Sequence, residues 1–156
     1  SKADLVFEAV PETKVAKKEA FQKLEIVLPT EAIVASTTSI FLADLVAGWN
    51  RRPEYVLNSH FLNLAFFVPL VEVSPHVGTE SSAMNELKVF LEEISKAPVL
   101  CKARPGYIMP RIQALAMNEA ARLVEEGIAT AEDVDKAVRY GFGLRFAALG
   151  LLEFID

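Results

Sequence analysis

The sequence predicts an α/β chain, a doubly wound and largely parallel sheet, followed by an all-helical segment. Three observations carry this. Short apolar runs alternate with segments of helical period as far as about residue 102. Polar turn residues close most of those runs. From residue 108 onward only helical periodicity remains. Alternating strands and helices imply parallel strands joined by right-handed crossovers.

Residues 5–10 read as a strand, apolar except for Glu8. Pro11, Glu12 and Thr13 break it, and Thr13 is a candidate helix cap. Residues 14–28 show helical spacing, with Phe21, Leu24 and Leu28 on one face, and Pro29 stops the run. A short strand at 32–35, a polar turn at 36–39, a short helix at 40–49 and a strand at 55–61 follow. Residues 70–73 and 98–102 are further strands. Between them Thr79 is a candidate cap for a helix with Met84, Leu87, Phe90, Leu91 and Ile94 inward. Trp49 and the phenylalanines read as core, His76 as solvated, and Cys101 as buried in a strand and inert.

The pattern changes at 104–106, so 1–104 and 105–156 are taken as separate domains. Pro110 suits a first helical turn. Ile112, Leu115, Ala116 and Leu123 form an apolar stripe that Gly127 closes. Thr130 to Asp133 resembles a capping box for a further helix, which Gly141 and Gly143 are expected to end.

Composition narrows the function classes. The chain has 156 residues, 52% apolar, with a net charge of −5. That balance, with no basic stripe interleaved by aromatics, argues against a nucleic-acid surface. One cysteine, Cys101, excludes an internal disulfide and any cysteine-rich metal site. No apolar run approaches the ~20 residues that span a bilayer, and no signal segment opens the chain. A cytoplasmic protein with no membrane partner is expected. The chain enters a strand almost at once and stops in an apolar run, so it is expected to be a piece of a longer protein.

The chemistry gathers at strand ends. In doubly wound sheets ligands bind beyond the carboxyl ends of the strands. Pro11 and Glu12, residues 36–39 and residues 60–63 all fall there. His60 closes the third strand, and Glu72 lies in the next. The link between them is too short for a helical crossover, which takes about a dozen residues. The chain should therefore reverse near 65–68 and bring His60 beside Glu72. An imidazole held by a carboxylate is a general base with a fixed tautomer. The alternative is a packed histidine and an edge-strand glutamate facing water.

The stretches ADLVFEAVPE (3–12), ASTTS (35–39), SHFLN (59–63), LVEV (70–73), RPGY (104–107) and NEAARLVEEG (118–127) occur in an order that matches a known family. The chain resembles the short-chain L-3-hydroxyacyl-CoA dehydrogenases, of the 3-hydroxybutyryl-CoA dehydrogenase type, over essentially its whole length. The resemblance implies the C-terminal half of a Rossmann-type NAD-binding domain in 1–104. It implies the start of a helical substrate and dimerisation domain in 105–156. It implies NAD-dependent oxidation of a 3-hydroxyacyl-CoA to the 3-oxoacyl-CoA, the chemistry of fatty-acid β-oxidation. His60 would be the general base and Glu72 its orienting partner. Ser39 would hydrogen-bond the reacting oxygen near the nicotinamide, with Asn63 beside it. Glu12 and Lys17 would contact the nicotinamide-ribose end of NAD. A homodimer through the helical domain is implied as well.

Three departures bear on this. The glycine-rich GxGxxG loop is absent, and the first glycine is Gly48, so the chain alone is expected to bind NAD poorly. Pro110 stands where the family usually has an asparagine. Leu64 stands where a proline follows Asn63, and residues 144–150 replace a Gly-Pro-rich segment. The last two departures touch substrate contacts, leaving open a CoA-free 3-hydroxy acid such as gulonate or carnitine. A non-catalytic, crystallin-like relative is the remaining alternative.

Overall fold

The computed structural model describes residues 2–155. The chain divides into two compact units, one ending at Ile108 and one beginning at Met109. The first unit is built on a five-stranded sheet of β1 (Leu5–Glu8), β2 (Ile33–Ser36), β3 (Val56–Phe61), β4 (Leu70–Pro75) and β5 (Ala97–Leu100), ordered as in the sequence. α1 (Lys14–Val27) links β1 to β2, α2 (Ala43–Ala47) links β2 to β3, and α3 (Ser81–Glu93) links β4 to β5. Strands joined through a helix are parallel, and only β3 and β4 run antiparallel. The link between β3 and β4 holds too few residues for a crossover, so it reverses the chain instead. Leu64 turns it with a φ of 62°, and its carbonyl accepts from the N–H groups of Phe67 and Val68.

The sheet is covered on both faces. Ile33, Ala35, Leu57, Val71 and Val73 pack with Ala83, Leu87 and Leu91 of α3. Val34 and Val56 pack on the other face with Phe21 of α1 and Val46 and Ala47 of α2. β2 is buried at every position, which is why it reads as a continuous apolar run rather than an alternating one. Pro98 is accommodated because β5 is the edge strand.

Several expected details differ. α2 is shorter than 40–49, because the Thr38 hydroxyl accepts from the N–H groups of Ile40 and Phe41 and holds those residues in a turn. Thr79 does not cap α3. Its hydroxyl accepts from the His76 N–H and donates to the Val56 carbonyl, while Glu80 stands at the cap without a side-chain bond. His76 is half-buried, not solvated, with Nε2 2.7 Å from the Pro53 carbonyl and Nδ1 accepting from Gly78 N–H. Met84, Phe90 and Ile94 lie off the buried stripe of α3. Phe66 and Phe67 are exposed on the β3–β4 link. Trp49 is half-buried, edge-on to Phe21 and Phe41. Cys101 falls just past β5 and is half-buried; burial first, then the nearby Glu72 charge, pushes its thiol pKa up.

The second unit holds α4 (Met109–Glu125), α5 (Ala131–Ala137), a π-helical turn (Val138–Gly143) and α6 (Leu144–Ala148). Gly127, with a φ of 69°, follows α4 as the sequence implied. Thr130 caps α5 by accepting from the Asp133 N–H. Gly141 and Gly143 do not end the helix; it widens to π geometry and runs on into α6. Glycine inside a helix costs ~1 kcal/mol relative to alanine, too little to force a stop alone. No helix among the described residues is long and apolar enough to cross a membrane.

Candidate active site

His60 and Glu72 are direct cross-strand partners in the β3–β4 ladder. Residues opposite one another on an antiparallel pair project to the same face at close range. The imidazole Nδ1 lies 2.8 Å from Glu72 Oε2, with the carboxylate fully buried and the ring nearly so. The other carboxylate oxygen, Oε1, accepts the backbone N–H of Ile108 at 2.8 Å. An ionised carboxylate only accepts, so this arrangement assigns the proton of neutral His60 to Nδ1. Nε2 is then the nitrogen with a lone pair to take a proton. The edge-strand alternative for Glu72 is overturned, because β4 is flanked by β3 and β5 and the side chain is buried.

A second side chain meets the imidazole. The ring of Tyr107 stacks on it, centroids 4.5 Å apart and planes 9° from parallel. The Tyr107 hydroxyl donates to the Thr38 carbonyl at 2.7 Å and accepts from Asn58 Nδ2 at 3.1 Å. Burial pushes this phenol well above the usual tyrosine range, so it stays protonated. Gly106 and Tyr107 both have positive φ, 79° and 46°, and that double bend lays the ring on His60.

Two residues before His60 along β3 runs a row of buried polar side chains. Glu8 pairs with Ser36, Ser36 with Asn58 and Asn58 with Ser74, one from each of four strands. Glu8 accepts from Lys17 Nζ at 3.1 and 3.2 Å, from the Ser36 hydroxyl at 2.6 Å and from the Val10 N–H at 2.9 Å. Lys17 is fully buried, and its ammonium also meets Glu12 Oε2 at 3.3 Å. Glu12 in turn accepts from the Thr38 hydroxyl. The ends of β1 and β2 are thus tied to the first turn of α1 by one charge network.

Of the residues singled out in the sequence, His60 and Glu72 meet directly, and Lys17 and Glu12 form an ion pair. Ser39 lies exposed beyond β2, beside Thr38, and Asn63 lies exposed two residues past β3. The sequence gives no role to Tyr107, Asn58 or the Ile108 N–H, and places Ser36 and Thr38 only within the polar turn at 36–39. The one available signal was polar residues inside apolar strands, Glu8 in LVFE and Asn58 in VLNSHF. Among the described residues no three His, Cys, Asp or Glu side chains come together as a metal site.

Residues 1–104 match the family model described as 3-hydroxyacyl-CoA dehydrogenase, NAD binding domain. Residues 106–156 match that described as 3-hydroxyacyl-CoA dehydrogenase, C-terminal domain. An L-carnitine dehydrogenase of Bacillus cereus is 34% identical over 149 residues, covering 95% of this chain and 46% of the relative. A lambda-crystallin homolog of Rattus norvegicus is 33% identical over 147 residues, covering 94% and 46%. Among solved structures, a 5-formyl-3-hydroxy-2-methylpyridine 4-carboxylic acid 5-dehydrogenase, described as an NAD+ dependent dismutase, superposes with a TM-score of 0.94. It is 29% identical, over 100% of this chain and 51% of that one. The chain spans about half the length of the curated relatives it matches.

Proposed function

Since this chain belongs to the 3-hydroxyacyl-CoA dehydrogenase family, we propose that the full-length protein oxidises the 3-hydroxyl of an L-3-hydroxyacyl-CoA to the 3-oxoacyl-CoA with NAD. The observation that carries this reading is the buried His60–Glu72 pair at 2.8 Å, placed at the carboxyl end of β3. His60 Nε2 takes the hydroxyl proton as C3 gives up its hydride, and the electron pair of the O–H bond becomes the second bond of the carbonyl. Glu72 holds the imidazole in the required tautomer and balances the imidazolium charge. Ser39 and Asn63, both exposed at strand ends, hydrogen-bond the reacting oxygen and place it against the nicotinamide.

NAD, when bound, supplies the hydride acceptor. The residues present suit its nicotinamide-ribose end. The side chain of Glu12 is 32% exposed, an acceptor for ribose hydroxyls, and Lys17 fixes it in place through their ion pair. They do not suit the diphosphate, for which a glycine-rich turn at a helix N-terminus is the usual cradle. We assign the soluble-compartment chemistry to the cytoplasm, and the helical unit to a homodimer contact.

Replacing His60 by Gln in the full-length enzyme should lower kcat about 10²–10⁴-fold, the usual worth of a general base. Glu72→Gln should lower it less steeply. An unchanged rate in His60→Gln would favour a non-catalytic role, to which the similarity to a lambda-crystallin homolog lends support. A second enzymatic reading, oxidation of a CoA-free 3-hydroxy acid, is favoured by the L-carnitine dehydrogenase relative and by Pro110. Comparing kcat/KM for 3-hydroxybutyryl-CoA and for carnitine or gulonate separates the two.

A further inference from the structure

We propose that Tyr107 is a positioning residue for the base, its ring face fixing the plane of the His60 imidazole. The inference rests on His60 being the base.

One hydrogen bond does not orient an imidazole. The Nδ1–Glu72 contact restrains one edge of the ring and leaves it free to tilt about that contact, which swings Nε2 away from a reacting hydroxyl. Tyr107 removes that freedom, because its ring lies 9° from parallel with the imidazole at a centroid distance of 4.5 Å. The tyrosine is itself pinned at two points. Its hydroxyl donates to Thr38 beyond β2 and accepts from Asn58 on β3. The adjacent Ile108 N–H holds the second oxygen of Glu72, so the same two consecutive residues brace both members of the pair.

The backbone supports the same assignment. Tyr107 adopts a φ of 46°, a left-handed conformation that a bulky residue rarely takes. Glycine would satisfy that backbone more readily and would forfeit the stacked ring. Backbone strain of this kind persists where the surroundings over-determine it, commonly at functional sites. Here the surroundings are the stack and three hydrogen bonds, every one of them leading to the base, its partner or a neighbouring strand end.

The test uses the full-length enzyme and three variants, Tyr107→Phe, Tyr107→Met and His60→Gln. Tyr107→Met should lower kcat about 10²-fold with KM little changed, the cost of a base misplaced by about an ångström. Tyr107→Phe, which keeps the ring, should recover about ten-fold or more of that loss. The wild-type enzyme provides a second readout, which does not depend on the Tyr107 variants folding. NMR of the histidine ring protons, with His60 assigned by its absence from His60→Gln, should show upfield ring-current shifts and cross-relaxation with Tyr107. Tyr107→Met should abolish that upfield displacement. Absence of those NMR features in the wild type overturns the inference, as does Tyr107→Met with an unchanged kcat or a Phe variant no better than Met. If His60→Gln itself keeps its rate, the base assignment fails; if it loses its rate while Tyr107→Met does not, only the role of Tyr107 fails.

Discussion

At the scale of single residues, the site depends on groups buried at a cost. The left-handed conformation of Tyr107 costs roughly 1–2 kcal/mol. Asn58 Oδ1 and Ser59 Oγ are buried without a hydrogen-bond partner among the described residues, a penalty of about 1–3 kcal/mol each. Asn58 is tolerated because its amide nitrogen joins the Phe41 carbonyl to the Tyr107 hydroxyl. Tyr107 also has a consequence for pH. Burial raises its folded pKa above the unfolded value, because the phenolate would be desolvated. The stability it contributes is therefore complete below the ordinary tyrosine value of about 10 and is lost as pH rises beyond it. Tyr107→Phe has no phenol to ionise. Thermal unfolding midpoints measured between about pH 9 and 11 should fall more steeply for the wild type than for the Phe variant; parallel slopes would contradict this. His60 and Glu72 were legible in the sequence, because chain length alone forced the reversal that pairs them. Tyr107 was not, since nothing local tells a tyrosine that its ring will meet an imidazole 47 residues earlier in the chain.

At the scale of elements, the ends of β1 and β2 and the start of α1 act as one piece. The family resemblance implies a cofactor contact for Lys17. In the fold its ammonium is wholly enclosed by Glu8 and Glu12. A buried ion pair contributes little net stability, yet removing one partner strands the other. Lys17→Met should therefore destabilise the protein by about 3–5 kcal/mol, read as a lowered denaturant midpoint with an unchanged slope. A loss below about 1 kcal/mol would mean that the enclosed pair is no more strongly coupled than a surface one. The elements themselves followed their local signals well. Thr13 and Thr130 cap α1 and α5 through their hydroxyls, as side chains at those positions should. Thr79 shows where that reasoning ends. It has the chemistry of a cap, but β3 offers the Val56 carbonyl nearby, and the hydroxyl bonds there instead.

At the scale of the whole molecule, the chain holds a β1-to-β5 sheet with helices on both faces and a separate helical unit. Glu8, Ser36, Thr38, Asn58 and His60 lie at or near the carboxyl ends of β1, β2 and β3, with Glu72 directly across from His60 on β4. That is the edge at which doubly wound sheets take their ligands. The turn between β1 and α1 holds no glycine, since the first in the sequence is Gly48, so it is not a glycine-rich phosphate cradle. The 156-residue chain alone should accordingly show no NAD binding in the micromolar range by calorimetry. Micromolar affinity would mean that the nicotinamide-ribose end suffices for binding, against expectation.

By itself the sequence determined the order of strands and helices, the two caps and the reversal that sets His60 against Glu72. Each of these depends on spacing and on residues within a turn or two. Only the tertiary structure decided that Lys17 is enclosed, that Thr79 serves β3, and that Tyr107 stacks on His60. Those outcomes depend on which distant polar group or ring lies within reach once the sheet is assembled. Such a neighbour outweighs a local preference worth ~1 kcal/mol or less.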